Sequence, residues 1–176
     1  RAQWVLNRDK ENSEARELMA FALAGMAQPK LAEQELEQLL AAHPGNIPAR
    51  VLQAGLKLSA RDVDAARAAL EEGVRQSNRS AETLVALGNL HQVAGNLPQA
   101  EAVYEEAIRA HPQSLEPRTG LGWMYARAGR RLKAEEIFRE ISGRKPNDPA
   151  TRSALATYYI YLRDWPAALA EMERLA

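Results

Sequence analysis

Apolar residues recur along the chain at the three- and four-residue spacing of amphipathic helices, and the whole pattern restarts at a fixed interval. "NLPQAEAVYEEAIRAHP" (96–112) is followed 34 residues later by "RRLKAEEIFREISGRKP" and preceded two periods earlier by "QPKLAEQELEQLLAAHP". Starting a unit at Ser13 and stepping by 34 gives Ile47, Ala81, Leu115 and Pro149. The residues just before these starts are Asn12, Asn46, Ser80, Ser114 and Asp148. All five are N-cap types, able to accept a hydrogen bond from an orphan backbone N–H, so a helix is predicted to begin after each.

The twentieth place of each unit holds Ala32, Ala66, Ala100, Ala134 and Ala168, and one turn later stand Leu36, Leu70, Tyr104, Phe138 and Met172. A small residue beside a large apolar one at i and i+4 builds a face that another helix can approach closely. A second small place, Ala20, Ala54, Gly88, Gly122 and Ala156, lies earlier in each unit, preceded by Met19, Gln53, Leu87, Leu121 and Leu155. Turn residues such as "AGN" (94–96) and "AGR" (128–130) separate two helices, and Pro44, Pro112 and Pro146 block continuation of the second. Each unit therefore reads as helix, tight turn, helix, short loop. One such pair cannot bury its apolar face alone; stacked neighbours can, and each must repeat the same complementarity.

This register resembles the tetratricopeptide repeat family, whose 34-residue unit carries the same small and large places and a late proline. The resemblance implies an all-α fold, a right-handed α-solenoid of stacked antiparallel helix pairs. The units would be 13–46, 47–80, 81–114, 115–148 and a truncated 149–176, with 1–12 the tail of a preceding second helix. The chain opens on Arg1 and stops at "EMERLA" inside a helix, and so reads as a fragment of a longer protein. Unit two departs most, with Gln53 and Lys57 at apolar places, Gly73 inside its second helix and Asn78 in place of the proline. It is expected to be the soft joint. The fourth place is Arg in four units (Arg16, Arg50, Arg118, Arg152), whose stems would cover a junction while their heads pair with glutamates of a neighbouring helix.

Charge narrows the function. The 23 basic and 23 acidic residues cancel, without the basic excess of nucleic-acid binders or the polybasic run that seeks anionic membranes. The absence of cysteine removes disulfides, thiolate metal sites and cysteine nucleophiles. No apolar run approaches the ~18 residues that span a bilayer, so no direct membrane insertion is expected. His43, His91 and His111 do not share a ligand spacing, and the pairs Glu71–Glu72, Glu105–Glu106 and Glu135–Glu136 read as solvated helix faces. "GLG" at 120–122 follows no strand, and Gly122 is the small place of its repeat. No enzyme, cofactor or metal site is expected.

The resemblance implies a concave groove lined by the first helices, at places two, five, nine, twelve and thirteen. The candidates there are Glu17, Phe21, Leu58, Val85, Asn89, Gln92, Trp123, Arg127, Thr157 and Tyr161. That surface is acidic at the N-terminal end, apolar in the middle, and aromatic with one Arg toward the C-terminal end. Trp123 is either an anchor for a partner or a residue packed between repeats; Asn89 could hydrogen-bond the backbone of an extended peptide. The carboxylate clamp of chaperone-binding members is not matched, because only Arg127 and Asn89 are of its residue types and four glutamates stand nearby. The implied function is a non-catalytic protein–protein interaction scaffold that binds a partner peptide or helix. The alternative is a module of a larger enzyme or of a bacterial envelope polysaccharide-export machine, with the chemistry outside these residues. Self-association through exposed terminal repeats is a third reading.

Overall fold

In a computed structural model, residues 12–144 and 148–175 are described. Of the segment expected to be a preceding helix tail (1–12), residues 1–11 lie outside them, as do the stop at Pro146 and Ala176. Among the described residues every regular element is a helix: α1 (Ser13–Gly25), α2 (Pro29–Ala42), α3 (Ile47–Ser59), α4 (Val63–Gln76), α5 (Ala81–Val93), α6 (Leu97–Ala110), α7 (Glu116–Arg127), α8 (Arg131–Arg144), α9 (Pro149–Arg152), α10 (Ala154–Tyr161) and α11 (Trp165–Leu175). Helices α9 and α10 meet at Ser153 and together occupy the place of a first helix. Each helix packs on the next in sequence, and α1, α3, α5 and α7 also pack on one another in turn. The architecture is the expected all-α solenoid of paired helices.

Four of the first helices start with the cap that the sequence indicates. Asn12, Asn46, Ser80 and Asp148 accept from the backbone N–H of Ala15, Ala49, Thr83 and Thr151, each three residues on. Ser114 does not. The residue three beyond it is Pro117, which has no N–H to give, so α7 starts one residue late and the Ser114 hydroxyl donates to Glu116 instead, at 2.9 Å.

All five turns between paired helices close in the same way. The fifteenth residue of each unit, Ala27, Arg61, Gly95, Gly129 and Arg163, has φ between +56° and +78°. The following N–H reaches back five residues, as in Gln28 to the Leu23 carbonyl (2.9 Å) and Asn96 to the His91 carbonyl (2.8 Å). This is the 6→1 bond of a left-handed helix cap, which glycine makes without steric cost. Only units three and four supply the glycine.

The alanines of the twentieth place are all buried, as are Leu36, Leu70, Tyr104 and Phe138. Met172, the fifth member of that series, was expected in a packing face but is 49% exposed, because no described helix follows α11 to cover it. Gly122 is a packing residue: a Cβ there would lie 3.1 Å from both Ile137 and Phe138. The fourth-place arginines reach across their own helix pair. Arg16 meets Glu35 at 2.7 Å and Arg118 meets Glu140 at 2.9 Å, while Arg152 donates to the Leu175 carbonyl. Arg50 differs, since its stem fills the space beside Gly73, whose Cβ would stand 3.4 Å from that of Arg50.

Candidate functional site

Across three of the four junctions between units, the twenty-first place of one unit is tied to the eleventh place of the next. Glu33 accepts from Lys57 Nζ (2.9 Å), Glu101 from the Tyr125 hydroxyl (2.6 Å) and Glu135 from the Tyr159 hydroxyl (2.9 Å). Glu101 also takes Arg130 at 2.7 Å and Lys133 at 3.1 Å, with the Lys133 ammonium 4.9 Å from the centre of the Tyr125 ring. These donors, Tyr125 first, hold the Glu101 carboxyl below its ordinary pKa. The junction between units two and three is the exception. The equivalent residues are Arg67 and His91; Arg67 turns to Asp64 on its own helix. Burial, and secondarily the Arg67 charge, lowers the pKa of His91.

At that same junction a cavity of about 180 Å³ opens between α3 and α5, lined by Val51, Ala54, Gly55, Leu58, Leu70, Ala86, Asn89, Leu90 and Val93. Leu58 and Asn89, both singled out from the sequence, share it. Asn89 has a fixed orientation. The Tyr104 hydroxyl donates to its Oδ1 at 2.6 Å, and burial pushes the Tyr104 pKa up to about 12, so that the phenol stays a donor. The amide Nδ2 of this exposed side chain is left for another partner.

Further along, Trp123 meets Phe138 and Tyr161 edge-on, with ring centres 4.9 and 5.2 Å apart. Trp123 is half-buried, packed against both rings with part of its surface left open; Tyr161 is 49% exposed. Trp123 and Thr157 line a second cavity of about 340 Å³ with Leu115, Thr119, Phe138, Ile141, Asp148, Thr151 and Ala154. The Thr157 hydroxyl is spent on the Ser153 carbonyl at 2.8 Å. Val85 and Gln92 are half-buried, Val85 against the cluster that contains Tyr104; Arg127 is exposed. The other two candidates stand apart at the N-terminal end. Glu17 accepts from Asn46 Nδ2 at 2.7 Å, and Phe21 is 44% exposed. Tyr104 was legible only as a packing residue, and its role in aiming Asn89 depends on contact between antiparallel helices.

Among the described residues no group of three or more His, Asp or Glu side chains is placed to hold a metal ion, and no helix is long and apolar enough to cross a membrane.

A family model for the tetratricopeptide repeat matches residues 85–149. Among solved structures the chain is similar to PilW, a widely conserved type IV pilus biogenesis factor, with a TM-score of 0.72 and 17% identity, over 99% of this chain and 81% of that one. It is similar to pilF of Pseudomonas aeruginosa, with a TM-score of 0.68 and 16% identity, over 95% of this chain and 76% of that one. It also resembles YrrB, described as a TPR protein with an unusual peptide-binding site, with a TM-score of 0.58 and 16% identity, over 99% of this chain and 90% of that one. At these identities the likeness is one of fold. No curated protein sequence matches.

Proposed function

Because this chain is an array of tetratricopeptide repeats, we propose that it is a non-catalytic scaffold that binds a protein or peptide partner along its first-helix face. The units are taken as 13–46, 47–80, 81–114, 115–148 and 149–176. The observation that carries the reading is the open cavity between α3 and α5, whose rim presents an oriented amide, Asn89, with a donor to spare. Exposed Phe21, Arg127 and Tyr161 and half-buried Trp123 extend the same surface in both directions. Apolar pockets with a few placed polar groups are the usual form of a binding site. Peptides laid in such grooves gain affinity from a few anchors rather than from total area.

The test is site-specific photocrosslinking in lysate of the source organism. A photoreactive residue is placed at Val93 or Tyr161 on first helices, or at Glu105 or Arg139 on second helices, all of them exposed positions. Crosslinking from the first-helix positions that is lost in a folded Asn89→Ala, Trp123→Ala double variant supports the reading. Crosslinking confined to the second-helix positions overturns it.

A further inference from the structure

A second surface is built at the turn between α7 and α8, not on the first-helix face. We propose that it docks an acidic segment of a partner protein, whose carboxylates meet Arg130, Arg131 and Lys133 and whose apolar side chain covers Leu132.

The apolar part is Leu132. It is 84% exposed, the most exposed large apolar side chain among the described residues. A lone exposed leucine is ordinary. The repeat makes this one informative. It stands at the eighteenth place of its unit, where the others carry Lys30, Asp64, Pro98 and Pro166. Stacking therefore asks for no apolar residue there, and buried Ala134 and Phe138 already supply the packing face of α8. Leu132 forms one wall of an open concavity of about 400 Å³, whose other walls are Gly129, Arg130, Arg131 and Lys133.

Charge selects the partner. Every charged residue lining that concavity is a cation, although the chain as a whole is neutral. The carboxylate that reaches these cations is Glu101 of the preceding unit, met by Arg130 at 2.7 Å and Lys133 at 3.1 Å. Glu101 also accepts from the Tyr125 hydroxyl, so its two oxygens already serve three donors. Arg131 makes no ion pair among the described residues. One turn further along α8, Glu135 is taken by Arg139 and the Tyr159 hydroxyl, and Glu136 is exposed. Other turns are built differently: the sixteenth place, Arg130 here, is Asp62 in unit two and Asp164 in unit five, each capping the helix that follows. The turn of unit four thus holds excess positive charge around an uncovered leucine. Carboxylates complement it, since a free guanidinium can hold one through two hydrogen bonds, and an apolar neighbour on the same segment takes Leu132 out of water. A bilayer surface fits less well, because anchoring to one takes a broad basic or apolar face.

The experiment titrates the isotope-labelled protein with an acetylated, amidated peptide, Glu-Glu-Leu-Glu-Glu flanked by Ser and Gly. Control peptides replace every Glu by Gln or the Leu by Ser, and vesicles of phosphatidylglycerol and phosphatidylcholine in equal parts present a lipid surface. Shifts should centre on Gly129 to Lys133, with a Kd of about 0.1 mM or tighter. The Gln peptide should give none. Leu132→Ser, at an exposed position, should weaken binding by about tenfold without lowering the melting temperature. Arg131→Ala should weaken it by about threefold or more, whereas Arg109→Ala, an exposed arginine on α6, should leave it unchanged. No shifts at the turn, undiminished binding to Leu132→Ser, or an equal loss with Arg109→Ala overturns the site. Shifts at the turn from vesicles but not from the peptide overturn it in favour of a lipid surface. Peptide shifts confined to first helices remove the turn site and keep the groove.

Discussion

The ring of Tyr104 occupies the space that a side chain on Gly120 would need: a Cβ there would stand 2.6 Å from Tyr104 Cε1. A Cβ on Gly88 would be nearly as close to the same ring atom, at 2.8 Å. The previous junction solves the same problem with Leu70 and Ala86. Size is therefore traded between the large place of one unit and the sixth place of the next. Gly120→Ala should destabilise the array by about 1–3 kcal/mol through overpacking, despite alanine's better helix propensity. Adding Tyr104→Leu should recover part of that loss and give a favourable coupling in a double-mutant cycle. Additive losses in thermal or urea unfolding would contradict this packing.

The pair Arg67 and His91 lacks the hydrogen bond that the equivalent residues make at the other three junctions, although Ser77–Thr83 and Arg79–Glu106 still tie units two and three. Replacing Arg67 and His91 by Glu and Tyr copies the Glu101–Tyr125 arrangement, and the installed hydrogen bond is expected to contribute about 1 kcal/mol. The double variant should gain more than the sum of the single changes. Hydrogen exchange should show residues 47–80 less protected than 81–148 in the parent, and this difference should narrow in the double variant. Equal protection in the parent would overturn the expectation that unit two is the soft joint.

His91 also gives the array a pH dependence near neutrality. Its folded pKa lies below the ordinary histidine value of 6.5, first through burial and then through the Arg67 charge, with Glu71 opposing. The unfolded chain thus binds the proton more readily than the folded one. The associated stability is complete above the unfolded value and is lost as pH falls through it toward the folded value. Melting temperature should fall between about pH 7.5 and pH 5.5, and His91→Gln should flatten that fall. Glu101, whose folded pKa lies below the carboxylate value, adds a separate loss only in more acidic solution.

The turns offer the opposite sign of change. Arg61 holds φ at +64° where Gly95 holds +78° in the next unit. Left-handed backbone costs a residue with a Cβ roughly 1 kcal/mol relative to glycine. Arg61→Gly should raise stability by about 0.5–1 kcal/mol, since its folded-state gain outweighs glycine's entropy in the unfolded chain. Gly95→Ala should lower it by a similar amount. A stabilising Gly95→Ala, measured by urea denaturation, would count against the left-handed cap.

The period in the sequence was enough to locate the helices because stacking forces every unit to repeat the same small and large places. Ala100 and Tyr104 are legible for that reason. What the period hides is where neighbouring units differ. Gly73 reads as a helix breaker in isolation, yet it makes room for the Arg50 stem; Gln53 and Lys57 look misplaced, yet Lys57 is tied to Glu33. The cavity between α3 and α5 was legible only in part. Val51, Gly55 and Val93 fall at groove places, but that Tyr104 aims Asn89 depends on two antiparallel helices meeting fifteen residues apart.

Asn46 and Ser114 occupy equivalent places but do different work, and their truncation separates the two. Asn46 accepts from Ala49 N–H at 2.8 Å and also donates to Glu17. Asn46→Ala should therefore cost at least about 1 kcal/mol, the usual loss for an N-cap. Ser114 faces Pro117, which has no N–H, and its hydroxyl bond to Glu116 is exposed. Ser114→Ala should cost less than about 0.5 kcal/mol, as surface changes away from special features do. Restoring the N–H with Pro117→Ala should convert Ser114 into a cap, so that Ser114→Ala in that background costs about 1 kcal/mol. If Ser114→Ala costs the same in both backgrounds, when compared by thermal unfolding, the missing proline N–H is not what displaced the start of α7.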